Sequence, residues 1–105
     1  MAQYDVHRNR GRSQALYPYL VILQSGLLRR WDRRIVAPMV RSLERGLDPA
    51  MAPRFTVEGA PAFLLVREFG NVPISALGDI VGNLDAESDA IIRAIDLVFS
   101  RAYPE

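Results

Sequence analysis

The chain has 105 residues, half of them hydrophobic, and its 13 basic residues are all Arg, set against 12 acids for a net charge of +1. Cys is absent, which excludes disulfides, thiolate metal sites and thiol nucleophiles, and the length suits a single domain, residues 1–105, with one core. The near-neutral total hides an asymmetry: residues 1–54 carry 10 Arg and 4 acids, whereas residues 55–105 carry 3 Arg and 8 acids, so cationic and anionic surfaces are expected to be separate.

Gln3 to Arg8 alternates, with Tyr4 and Val6 on one face and Asp5 on the other, the pattern of a half-buried first strand. Asn9-Arg10-Gly11-Arg12-Ser13 reads as a positively charged loop. Tyr19 to Gln24 is a dense aliphatic run closed by Ser25-Gly26, expected to form a central strand buried on both faces. Its apolar stretch is too short to span a bilayer, and the N-terminus lacks the apolar region of a signal peptide, so a cytoplasmic protein without a membrane partner is expected. Arg34 to Val40 reads as another strand, in which Pro38 cannot donate a ladder hydrogen bond and is expected at an edge or bulge.

Leu47 to Pro53 reads as a loop. Arg54–Glu58 and Pro61–Arg67, joined through Gly59-Ala60, form a hairpin candidate. A helix is expected from Asp85, as N-cap, to Phe99, with acids in its first turn and Arg101 near its end, in agreement with the helix dipole. Ile91, Ile92, Ile95, Val98, Phe99 and Ala102 form its core stripe. A flatter stripe of Ala90, Ala94 and Leu97 would let another surface approach closely, and is the expected interface of a homodimer. Short strands in series followed by one helix predict a mainly β fold with a C-terminal helix.

Proton-transfer chemistry near neutral pH draws on His, Cys or Lys, and this chain has only His7, which reads as a structural histidine. No ligand cluster, phosphate-cradling glycine loop or P-loop is present, so no metal or cofactor is expected. The acids at Asp85, Glu87 and Asp89 are explained as helix-start residues. The chain is therefore expected not to be an enzyme. The densest charge cluster, Arg29-Arg30-Trp31-Asp32-Arg33-Arg34, suits phosphate contacts and stacking, or a solvated loop that also meets an acidic partner.

Gln3-Tyr4-Asp5-Val6, Gln24-Ser25-Gly26-Leu27-Leu28, Arg33-Arg34 with Val36 and Pro38, Val72-Pro73 with Ser75 and Gly78, and Asp89 with Ile91, Ala94, Ile95, Leu97 and Phe99 appear in an order that resembles the CcdB family, toxins of type II toxin-antitoxin modules. The resemblance covers nearly the whole chain. It implies an antiparallel sheet of the CcdB/MazF-like, SH3-like barrel type with one C-terminal helix, assembled as a homodimer. It further implies a toxin that poisons the A-subunit of DNA gyrase without catalysis and is neutralised by a CcdA-like antitoxin. That antitoxin's disordered C-terminal segment folds onto the toxin, and the complex, rather than the toxin alone, meets DNA in autorepression.

On this resemblance the gyrase-facing residues are Leu27, Leu28, Asp96, Phe99, Ser100, Arg101, Ala102 and Tyr103. The antitoxin-facing residues are Arg8, Arg10, Arg12, Arg41 and Arg45. Ser100-Arg101-Ala102 stands where the family's poisons end in Trp-Gly-Ile, and Asp96 where Asn is usual, so weak poisoning is expected. Two alternatives stay open: a MazF-like endoribonuclease using Arg33 or Arg34 with Ser13 or Ser25, and a degenerate, non-toxic antitoxin-binding regulator.

Overall fold

The computed structural model describes residues 1–101. Seven strands and one α-helix follow in order: β1 (Asp5–Asn9), β2 (Tyr19–Ile22), β3 (Arg33–Val40), β4 (Arg54–Val57), β5 (Ala60–Leu64), β6 (Gly70–Pro73), β7 (Leu77–Asn83) and α1 (Ser88–Phe99). All pairings are antiparallel. The strand order is β4-β5-β3-β2-β1-β7, with β6 pairing to the far half of β3. The result is a mainly β, curled antiparallel sheet with a C-terminal helix, as the sequence predicts. Among the described residues no helix is long and apolar enough to cross a membrane.

Strand β2 shows why the sheet curls around two clusters. Tyr19 and Val21 face the main core with Val6, Met39, Phe55 and Leu64, while Leu20 and Ile22 point the other way, to Val36 and Leu77. A strand with both faces buried has to be apolar throughout, which is what its sequence shows. Pro38 is a correction. It lies inside β3 opposite Leu20 rather than at an edge or bulge. Its missing N–H is tolerated because the outer neighbour of β3 changes there: β6 pairs with Arg33 to Val36 and β5 with Met39 and Val40. The Pro38 carbonyl accepts from Leu65 N at 2.9 Å across that seam.

The β4–β5 hairpin closes through Glu58 and Gly59, both with positive φ, 52° and 81°. Two consecutive left-handed residues match the twist of the flanking strands. The second strand ends at Leu64, shorter than expected, and a 3-10 turn at Val66–Glu68 follows. The Leu47–Pro53 loop likewise contains a 3-10 turn, Pro49–Met51, capped by Asp48, whose carboxylate accepts from Ala50 N at 2.9 Å.

The helix begins later than predicted. Asp85 starts a 3-10 turn, Asp85–Glu87, rather than capping α1, and its own N–H is accepted by Asn83 Oδ1 at 2.8 Å. Ile91 and Ala94 are fully buried against the main core, with Ala90, Ile95 and Val98 packed around them. The two expected stripes of this helix need correcting. Ile92 and Phe99, expected in the core stripe, are exposed, and Ala94, expected at a dimer interface, is enclosed within the protomer. The backbone of α1 comes closest to the 3-10 turns at Pro49–Met51 and Val66–Glu68, and of the proposed stripe Leu97 is half-buried. Ala102, the last member of the core stripe, lies outside the described residues.

Strand β1 carries a buried polar row, Asp5, His7 and Asn9. Burial pushes the Asp5 carboxyl up, but hydrogen bonds from Ala2 N and Asn83 Nδ2 outweigh it and hold the group below its ordinary value. His7 Nδ1 lies 2.9 Å from the Gly78 carbonyl, and its buried Nε2 has no partner among the described residues. Asn9 organises the following loop, donating to Ser13 Oγ and the Tyr17 carbonyl and accepting from Gly11 N. Gly78 lets β7 lie close against β1, since a Cβ there would stand 2.9 Å from the Arg8 carbonyl oxygen.

Candidate functional site

Two faces collect the residues singled out by the sequence. On the first, β2 runs out through Leu23 and Gln24 into a 3-10 turn, Gly26–Leu28, capped by Ser25, whose Oγ accepts from Leu27 N. The turn holds Leu27 90% exposed, with Leu28 and Trp31 also exposed. Two buried polar side chains fix it. Gln24 accepts from Ile35 N at 2.9 Å through Oε1 and donates from Nε2 to the Leu28 carbonyl at 3.4 Å. Arg34 is buried, and its guanidinium donates to the carbonyls of Arg29, Trp31 and Arg33. Within the basic cluster, then, Arg34 holds the backbone, while Arg33 bonds Asn71 on β6.

Gln24 also rims an apolar depression of about 190 Å³ lined by Leu23, Ile35, Val66, Ile95, Phe69 and Phe99. Phe69 and Phe99 meet edge to face, 5.4 Å between centroids at 66°, and both are exposed. Gln24 therefore links the Leu27-Leu28 turn to the end of α1. Asp96 and Arg101 are exposed nearby in sequence, and Ser100 is half-buried. Ala102 and Tyr103, also assigned to this face, lie outside the described residues.

The second face joins β1, β2 and the β4–β5 turn. The Glu58 carboxylate accepts from Arg8 Nη2 at 2.5 Å, from Arg8 Nε at 3.3 Å and from the Tyr19 hydroxyl at 2.7 Å. Behind Tyr19, Arg41 donates to its hydroxyl at 2.6 Å and stacks over its ring at 4.9 Å. The other terminal nitrogen of Arg41 donates to the carbonyls of Val57, Ala60 and Pro61, each at 3.0 Å. Arg41 is thus a clamp on the hairpin, while Arg8 and Arg10 line an open cleft. Arg12 and Arg45 are exposed elsewhere on the surface. The sequence reading missed Glu58 and Tyr19, whose only local signal was a carboxylate beside a glycine turn.

The bonds from Arg8 and then Tyr19 hold the Glu58 carboxyl below its ordinary value of 4.5, and burial with the bond to Glu58 pushes the Tyr19 hydroxyl up, keeping it a donor. A carboxylate favoured in the folded state stabilises it fully above that ordinary value. Its contribution fades as pH falls further and the folded-state group is protonated. Glu58→Gln should therefore reduce the loss of stability between pH 5 and pH 3, read by urea denaturation at each pH. An acid response equal to wild type would show that Glu58 is not its source.

Of the groups named for RNA cleavage, Arg34 donates to carbonyls and Arg33 to Asn71, while Ser25 caps the Leu27 turn and Ser13 accepts from Asn9. The fold matches solved toxins. Mycobacterium tuberculosis toxin MazF-mt6 shares 21% identity over 90% of this chain and 95% of its own, at a TM-score of 0.74. Another Mycobacterium tuberculosis toxin shares 22% over 90% of this chain and 99% of its own, at 0.72. An endoribonuclease in complex with its cognate antitoxin, from a mycobacterial species, shares 13% over 99% of each chain, at 0.73. No curated protein sequence matches the chain.

These neighbours correct one expectation. Their fold is this one, and among them are endoribonucleases, so the lack of a His, Cys or Lys constellation does not justify classing the chain as non-enzymatic. At these identities the likeness establishes the fold alone. Sequence family is decided separately: the model of the CcdB protein family matches residues 3–100, and the chain belongs to the CcdB family of toxins from toxin-antitoxin modules.

Proposed function

We propose that this toxin acts on the A-subunit of DNA gyrase, as a homodimer, through the Leu27-Leu28 turn and the Phe99 end of α1, and that a CcdA-like antitoxin neutralises it. DNA is met through the toxin-antitoxin complex. The observation that carries the reading is Leu27, an aliphatic side chain 90% exposed on a turn whose backbone is pinned by Gln24 and Arg34. A leucine held rigidly in water, on a turn that Gln24 connects to the depression of Phe69 and Phe99, is suited to burial against another protein, and little ordering entropy opposes that burial.

With gyrase and supercoiled DNA, the purified protein should accumulate cleaved complexes. Leu27→Asp, at a position with no packing of its own to lose, should raise the concentration needed at least tenfold while leaving the melting temperature unchanged. RNA cleavage is the second reading, favoured by the endoribonucleases among the structural neighbours. A wild-type protein that cuts RNA and traps no gyrase complex overturns the first reading.

A further inference from the structure

The cleft at the second face is one end of a longer groove. Its basic end, about 350 Å³, is lined by Arg8, Asn9, Arg10, Tyr19 and Glu58. Through Pro18 it continues into a concavity over Leu16, Val40 and Ser42. Those three residues also line a third hollow, which extends over Leu43, Leu47 and Leu65 and has Glu44 and Glu68 among its lining residues. The groove is therefore cationic at one end and apolar at the other, where Glu44 and an Arg67–Glu68 ion pair also contribute to the lining.

What fills the cationic position is a carboxylate from the chain itself. Glu58 takes two donors from Arg8 and one from Tyr19, which is the planar geometry a guanidinium offers a carboxylate. Arg8 has a second carboxylate, Asp79, 3.8 Å from its other terminal nitrogen. Arg10 has no carboxylate within salt-bridge distance among the described residues. The Arg8–Glu58 pair is solvent-accessible, and an exposed ion pair holds its partners weakly. Glu58 can leave without unmaking the hairpin, because Arg41 clamps the same turn through backbone carbonyls.

We propose that this groove binds an acidic-apolar peptide segment, whose carboxylate displaces Glu58 from Arg8 and Tyr19 while its aliphatic side chains enter the hollow beside Leu16. Glu58 is then a built-in competitor that raises the affinity a partner must reach. The occupant is a peptide rather than RNA because the far hollow is lined by Leu16, Val40, Leu43, Leu47 and Leu65, which aliphatic side chains fill and a run of phosphates and riboses does not. This deepens the antitoxin part of the function proposed above and rests on it, independently of the gyrase-facing surface.

The probes are a fluorescein-labelled hexapeptide of three Glu followed by three Leu, and labelled decauridylate, read by anisotropy on the full-length protein. Glu58→Gln should bind the hexapeptide five- to tenfold more tightly than wild type, and Arg8→Gln and Leu16→Asp should each weaken it at least fivefold. Melting curves run alongside separate binding from folding. Should Glu58→Gln melt lower and bind the peptide no better, Glu58 is only a hairpin anchor and the proposal is overturned. It is equally overturned if the variant tightens decauridylate and not the hexapeptide. The gyrase trapping assay reads the other face, so its failure beside a tightened Glu58→Gln variant would remove the gyrase reading and leave this one standing.

Discussion

Ile91→Ala should cost about 3–4 kcal/mol of folding stability, the largest effect expected of any single change considered. Ile91 is fully buried in the main core, the cluster that also holds Val6, Val21 and Met39. Shortening it removes transfer energy and leaves a cavity that Ala94, also fully buried, is too small to fill. A protein of this size has about 5–15 kcal/mol in total, so the melting temperature should fall by roughly 15 °C or more. Ile92→Ala, one residue on but exposed, should shift it by no more than a degree or two. Thermal unfolding of the pair tests which face of the helix is the core, and equal losses would refute the assignment.

Arg34→Ala should be the next largest, about 2 kcal/mol, for a different reason. The guanidinium is buried with no carboxylate within salt-bridge distance among the described residues, and its donors satisfy carbonyls of the Arg29–Arg33 segment. Truncation strands those carbonyls and frees the loop. Binding through Leu27 and Leu28 should weaken with it, because the turn would have to be ordered on contact. Arg30→Ala, an exposed change in the same cluster, should leave stability within about 0.5 kcal/mol. Urea denaturation with gyrase trapping on both variants separates a positioning role from a contribution of charge. If the two lose equally, Arg34 acts only as a surface cation.

How much of this was legible in the sequence depends on what each residue answers to. Tyr19 to Ile22 answers to burial periodicity and was readable, as was the hairpin through Gly59; the helix was readable as an element, but its buried face only in part, since Ile92 and Phe99 are exposed and Ala94 is buried. The exceptions have physical causes. Strands β6 and β7 are mostly exposed and together hold three glycines, Gly70, Gly78 and Gly82, so no alternation marks them and only pairing with β3 and β1 makes them strands. Arg34 looked like any member of a solvated arginine run because the carbonyls that hold it carry no sequence signature. Ala94 looked like room for a partner because a small residue on a helix does not say which neighbour it admits. Arg8 and Tyr19 are register partners across β1 and β2, and the Glu58 turn reaches them from the far end of the sheet, a meeting that no local pattern marks.

The adjacency of β1 and β7 sets a schedule for synthesis. The first strand pairs on one side with β2 and on the other with residues about 70 positions later, Asp5 opposite Asn83 and Asn9 opposite Leu77. At roughly 5–20 residues per second, several seconds separate translation of the two. Throughout that interval the growing chain has an open strand edge at β1, and His7 lacks the Gly78 carbonyl. Pairing over such separations is slow to form even in a released chain. The nascent toxin therefore passes through a stage in which its first half is made but its sheet cannot close, the period in which it is most open to chaperones, to proteases and to misassociation with another growing copy.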